Sequence, residues 1–193
     1  MTEFAFVLGN GRSRLILSVK DLKKRGTVYG CNRIYETDEV DVLVSTDLPM
    51  AKEIQESGYS KLHSHYTREA NIITHSGAKA LDKRWAGYSS GPNALALAAK
   101  ANHPYIFMLG MDLISEDNKI NNIYAGTQHY KDINDILTPY TNWINQIQQI
   151  IGEFPNQRFY HVHALLNFTP EPWKQFVNFE TQSLLAFKDM INN

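Results

Sequence analysis

The sequence contains one cysteine, Cys31, so no disulfide can form within the chain, and a scaffold stapled by internal disulfides is excluded. It also has no excess of either charge. With 19 basic and 20 acidic side chains the net charge is -1, and the broad positive footprint of a duplex nucleic-acid binder is missing. No apolar run approaches the roughly 20 residues that a bilayer-spanning helix needs. No charged-then-apolar leader opens the chain, and neither a repeat nor a low-complexity tract is visible. These absences lead to the expectation of a cytoplasmic protein with no transmembrane segment and no duplex nucleic-acid partner. What is present is an apolar fraction of 43% in 193 residues, enough to bury the core of a single domain over residues 1–193.

Short apolar runs alternate with longer segments of helical character. Phe4 to Leu8, Val28 to Cys31, Val40 to Ser45, Asn71 to Thr74, Tyr105 to Leu109 and Phe159 to His163 read as strands. Helices are expected over Leu15 to Lys24, Met50 to Ser57, Pro92 to Asn102, Tyr140 to Ile151 and Trp173 to Met190. The third is the clearest, because Pro92 suits a helix start and an alanine-rich run follows it. Near-continuous apolar strands separated by helices predict a doubly wound, Rossmann-like α/β domain with a mostly parallel sheet covered on both faces. Ligands of such sheets bind beyond the carboxyl ends of the strands.

Three motifs fall on that rim. Gly9-Asn10-Gly11 follows the first strand, and Asn32 ends the second. Glycine permits close approach or positive φ, while asparagine offers donors and acceptors to a sugar, base or phosphate. Asn-Gly is equally a tight-turn dipeptide. Ser89, Ser90 and Gly91 precede the alanine-rich helix, where free amides and the helix dipole receive an anion, although a serine there also serves as a plain N-cap.

In order and separation these motifs resemble the bacterial lipooligosaccharide sialyltransferases. They are also similar to the wider group of uncharacterised proteins and archaeal pterin diphosphokinases that share the same nucleotide-binding core. In that pattern a Gly-Asn-Gly-x-Ser loop (Gly9 to Ser13) follows the first strand and Cys-Asn-x-x-Tyr (Cys31 to Tyr35) the second. Ser-Gly (Ser90, Gly91) then opens a helix leading to an apolar strand and Gly-x-Asp (Gly110 to Asp112). The resemblance covers about residues 4–150. It implies a cytidine nucleotide sugar as donor, with Gly9, Asn10, Gly11, Ser13, Asn32, Ser89, Ser90 and Gly91 as the nucleotide-binding set. It further implies sugar transfer without a metal ion or other cofactor, and the chain has no Asp-x-Asp metal motif; the short lid segment and the small chain depart from the family and point to a small acceptor instead of a large glycan. A histidine base in a lid after Gly-x-Asp, and tyrosines that stabilise the departing phosphate, are implied as well. The segment 115–130 supplies Tyr124, His129 and Tyr130 as that catalytic set. It departs from the family's tyrosine-x-glycine-histidine order, since Thr127 follows Gly126 and the histidine comes two residues later.

Two further readings stand beside this one. A nucleotide-binding or nucleotide-sequestering protein without turnover needs the rim alone. A magnesium-dependent diphosphokinase needs acidic ligands, for which Asp112, Glu116 and Asp117 are the nearby supply. The pairs His63/His65 and His161/His163 share strand faces at i, i+2 spacing, but no further ligand cluster accompanies them, and no metal site is assigned. Cys31 reads as a small buried residue rather than a nucleophile, and the basic run in Asp21 to Gly26 as a solvated helix end. Trp143, Phe154, Trp173, Phe176 and Phe179 fit either a carboxyl-terminal helical layer on the sheet or the contact of a homo-oligomer.

Overall fold

Eight strands, all parallel, form one sheet in a computed structural model of the chain, which describes residues 3–115, 118–163 and 168–192. The strands are β1 (Phe4–Leu8), β2 (Gly26–Cys31), β3 (Val42–Ser45), β4 (Ser64–Thr67), β5 (Lys79–Ala80), β6 (Tyr105–Leu109), β7 (Arg158–His163) and β8 (Phe179–Ser183). The helices are α1 (Val19–Lys23), α2 (Leu48–Glu56), α3 (Tyr59–Leu62), α4 (Ser90–Lys100), α5 (Thr141–Glu153) and α6 (Leu184–Asn192). In space the strand order is β5-β4-β3-β2-β1-β6-β7-β8. The chain thus builds outward from β1 to β5, returns to pair β6 with the other side of β1, and builds outward again to β8. The reversal lies between β1 and β6, and the crevice beyond their carboxyl ends is where such a sheet leaves room for a ligand. No described helix is long and apolar enough to cross a membrane.

Alternation along β1 divides the core in two. Ala5 and Val7 face α4 and α5 together with Ile106 and Met108, and the small side chains Ala94 and Ala98 let α4 lie close to the sheet. Phe6 and Leu8 face the other way, toward α1, α2 and α6. There Phe6 stacks on Phe107 at 5.7 Å, and the edge of Phe187 meets Phe107 at 5.0 Å. Coverage of both faces is why these strands carry unbroken apolar runs.

Three segments differ from expectation. Leu15 to Lys24 is not one helix but a 3-10 turn (Arg12–Ile16) followed by α1, whose Ser18 caps it by accepting from the amide of Asp21. Asn71 to Thr74 is no strand. The partner of β3 is the more polar β4, in which fully buried His65 is satisfied by Ser45 Oγ and Ser60 Oγ, each at 2.7 Å. Trp173 to Met190 is not a single helix either, since Trp173 ends a 3-10 turn, β8 adds a strand beside β7, and only then does α6 begin. Burial of Trp173, with its indole N–H donating to Ile144 O at 2.9 Å, fixes that turn against α5.

Candidate functional site

The carboxyl ends of β1, β2, β3 and β6, the first turn of α4 and the segment 118–131 enclose a cavity of about 400 Å³. Gly9, Asn10, Gly11, Asn32 and Gly91 line it, as do His129 and Tyr130. Ser13, Ser89, Ser90 and Tyr124 do not, and their contacts show what they do instead.

The Gly9 to Ser13 loop is clamped to the loop after β6. The amides of Gly9 and Gly11 donate to Leu109 O and Gly110 O, both at 2.8 Å. A Cβ on Gly9 would strike Gly110 O, and one on Gly11 would stand 2.5 Å from Asp112 Oδ2. Neither glycine has positive φ, so close approach of two strand-end loops is what demands them. Ser13 donates to Asp112 through its hydroxyl and through its amide (3.2 Å), while Asn121 Nδ2 donates to the same carboxylate at 3.0 Å. Beneath the loop Arg14 is buried, donating to Gly9 O, Asn10 Oδ1 and, at 2.8 Å, the Tyr124 hydroxyl. Tyr124 therefore supports the loop from below rather than facing a ligand. Ser13 and Tyr124, expected in binding and catalysis, hold the rim together.

The asparagines are oriented from behind. Asn10 Oδ1 accepts from Arg14, which leaves Nδ2 at 3.5 Å from the Tyr130 hydroxyl on the cavity wall. Asn32 has φ 56°, the left-handed conformation that asparagine tolerates better than most residues, and its Oδ1 accepts from Ser90 Oγ at 2.9 Å. Ser90 in turn accepts from the Thr46 amide at 3.0 Å, tying α4 to the ends of β2 and β3. The Ser89 amide donates to Gln146 Oε1 of α5, and its side chain makes no cap. At Gly91 an added Cβ would meet only Met111 Cε at 3.6 Å, so the first turn of α4 opens into the cavity. Amides in a first helical turn lack intrahelical acceptors and suit an anion. Cys31 is buried, and burial pushes its thiol up to about 11, which suits a packing role.

The opposite wall comes from 118–131 and α2. Ile123 N donates to Asn10 O at 2.9 Å, and Arg12 N to Asn121 Oδ1 at 3.0 Å, which draws this segment over the rim. His129, at φ 69°, places Nε2 2.9 Å from Glu53 Oε2. The other Glu53 oxygen accepts from Arg33 Nη2 and the Tyr35 hydroxyl, both at 3.0 Å. His129 is thus aimed by a carboxylate that is itself fixed. Burial holds the Tyr130 hydroxyl in its protonated, donor form well above the usual phenol range. Glu116 and Asp117 lie outside the described residues.

Sequence reasoning missed Arg14, Asp47, Glu53, Asn121 and Lys131, and it assigned Trp143 elsewhere. Asp47 and Lys131 border the cavity, and Trp143 lines its apolar end beside Tyr140, their rings 5.6 Å apart. Asp47 had a visible signal, for it lies two residues beyond the end of β3, on the rim that Asn32 reaches directly after β2. Of the two histidine pairs, His65 and His161 are core residues while His63 and His163 are half-buried, and His63 precedes β4 instead of sharing its face; His161 donates from Nε2 to Met111 O at 2.8 Å and meets His163 through Nδ1, and burial lowers it to about 4. Among the described residues no group of three or more His, Cys, Asp or Glu is placed to hold a metal ion. Compared with known proteins, the chain matches no family model, no curated protein and no solved structure.

Proposed function

We propose that this protein is a glycosyltransferase that binds a nucleotide sugar, carried on a cytidine nucleotide, and transfers the sugar to a small hydroxyl-bearing acceptor without a metal ion. One observation carries the proposal: Asn10, Asn32 and the open first turn of α4 converge on one cavity at the reversal point of a parallel sheet. The amide side chains suit a base or ribose, the helix start suits a phosphate, and the Tyr140/Trp143 end offers an aromatic, apolar surface. The resemblance of the rim motifs to sialyltransferase-like enzymes supports the same choice.

In the proposed reaction the acceptor oxygen bonds to the anomeric carbon of the sugar as the bond from that carbon to the nucleotide phosphate breaks. The electron pair of the broken bond leaves on the phosphate. With its Nε2–H donating to Glu53, His129 has its lone pair on Nδ1 to take the acceptor's proton, and Glu53 steadies the cation that forms. Tyr130, protonated and on the cavity wall, donates to the phosphate oxygen as its charge grows. The magnesium-dependent alternative has weaker support, because Ser13 and Asn121 already occupy the Asp112 carboxylate.

The test combines calorimetric titration of cytidine nucleotides with an assay of donor consumption. His129→Ala is expected to keep nucleotide affinity and to lose about 100-fold in turnover, the lower range of what a general base contributes. Unchanged turnover would remove His129 from the chemistry. Binding without any consumption of donor would favour a nucleotide-holding protein.

A further inference from the structure

A second, smaller cavity of about 170 Å³ adjoins the first and is lined by Asn32, Asp47, Pro49, Met50, His129 and Tyr130. Asn32, Asp47, His129 and Tyr130 line both cavities. Two compartments with a common wall are what transfer between two substrates requires, and the group in transit must lie at that wall. Its charge environment therefore bears on which sugar can be moved.

Two of the cations near this wall are already countered, whereas Arg14 has only neutral partners and Lys131 makes no ion pair among the described residues. Arg33 pairs with Glu36 and Glu53 at 3.3 and 3.0 Å, and His129 is matched by Glu53. Arg14 lies buried beneath the loop, on Tyr124 and Asn10. Lys131 borders the larger cavity alone. Asp47, by contrast, is exposed and its carboxylate makes no hydrogen bond or ion pair among the described residues. It sits at the amino terminus of α2, so the positive end of that helix dipole, otherwise attractive to a ligand anion, faces the protein's own carboxylate.

On the reading of the cavity as a nucleotide-sugar site, we infer that Asp47 is a specificity-determining residue, which admits a sugar that is uncharged or bears an amine and rejects an acidic one. A carboxylate at a shared wall accepts hydrogen bonds from hydroxyl or ammonium groups and repels a second carboxylate. The expected donor therefore keeps the cytidine nucleotide but differs in its sugar from the acidic donor of the enzymes that the rim motifs resemble.

Calorimetric titration of CMP and of CMP-N-acetylneuraminate, whose sugar carries a carboxylate, tests this in the wild type and in Asp47→Asn. Asparagine is as good an N-cap as aspartate, and the Asp47 side chain makes no cap bond, so the variant is expected to fold. Asp47→Ala removes the same charge and serves as a second variant. The wild type should bind CMP roughly tenfold or more tightly than CMP-N-acetylneuraminate, and Asp47→Asn should shift that ratio by about tenfold toward the acidic donor. Equal affinities in the wild type, or a ratio that neither variant moves, would overturn the inference while sparing the nucleotide site. Failure of CMP itself to bind would overturn the nucleotide reading, and this inference with it.

Discussion

The two walls of the cavity are built on opposite principles. On the wall from β1 and β6, Gly9, Gly11, Ser13, Arg14 and Asp112 are all engaged with one another or with their neighbours, and an added Cβ has no space at either glycine. On the wall from α2 and 118–131, His129 holds a positive-φ backbone and one pinned nitrogen, while the Asp47 carboxylate has no partner among the described residues. The first wall is a frame and the second holds the groups left free to act. The part of the sequence that most resembles a ligand-binding motif is thus largely architecture, and the part with chemistry to offer is assembled from residues far apart in the chain, such as Glu53 and His129.

If that division holds, the frame should break under substitution and the reactive wall should not. Gly9→Val should have the largest effect, a loss of about 4 kcal/mol or more, because the clash is with the Gly110 carbonyl and no side chain can move aside. Gly91→Ala, which meets only Met111 Cε at 3.6 Å, should fold normally, and urea denaturation compares the two. Next comes acid sensitivity. His161, bonded to Met111 O behind the frame, is lowered by burial from 6.5 to about 4. Between those values the unfolded chain takes up a proton that the folded state refuses, so stability is complete above 6.5 and falls as pH drops toward 4. The shift corresponds to about 3 kcal/mol. Buried His65, lowered likewise to about 4, acts in the same direction. Unfolding midpoints at pH 7.5 and 4.5 measure the loss, and a flat profile would mean that neither histidine is held neutral.

Smaller effects separate backbone from chemistry. At Asn32, φ 56° makes alanine cost about 1 to 2 kcal/mol in strain, whereas glycine adopts that conformation freely. Asn32→Gly should therefore be the more stable variant, yet lose nucleotide affinity as fully as Asn32→Ala. Equal stabilities would deny the strain, and retained affinity would take the amide out of the site. Smallest in stability is Glu53→Gln, at within about 1 kcal/mol, since its contacts with Arg33 and His129 are partly exposed. If the carboxylate steadies a protonated His129 during transfer, the same variant should lower turnover about tenfold without weakening nucleotide binding. A variant that loses stability but not turnover would reassign Glu53 to the frame.

The legible parts of the sequence were those whose burial left an unbroken apolar record. β1, β6 and the body of α4 fall almost where their composition places them, because both faces of the central sheet are covered. β4 left no such record, since its buried residues His65 and Thr67 are polar and His65 is satisfied by the hydroxyls of Ser45 and Ser60. β8, with the sequence Phe-Glu-Thr-Gln-Ser, lies at the sheet edge and is only partly buried, so pairing with β7 rather than an apolar period defines it. At the site, Asn10 and Asn32 were found by their position after apolar strands. Glu53 could not be, because nothing in a helix reveals that one of its carboxylates will meet a histidine 76 positions later.

The most direct test of the central claim, that this rim cavity holds a nucleotide, is a ¹H–¹⁵N correlation spectrum recorded as CMP is added. The account predicts saturable shifts in the side-chain amides of Asn10 and Asn32, the Gly91 amide and the Trp143 indole, with the distant and exposed Leu62 and Val177 unmoved. No shift at these groups at millimolar CMP, or shifts confined to other surfaces, would contradict it.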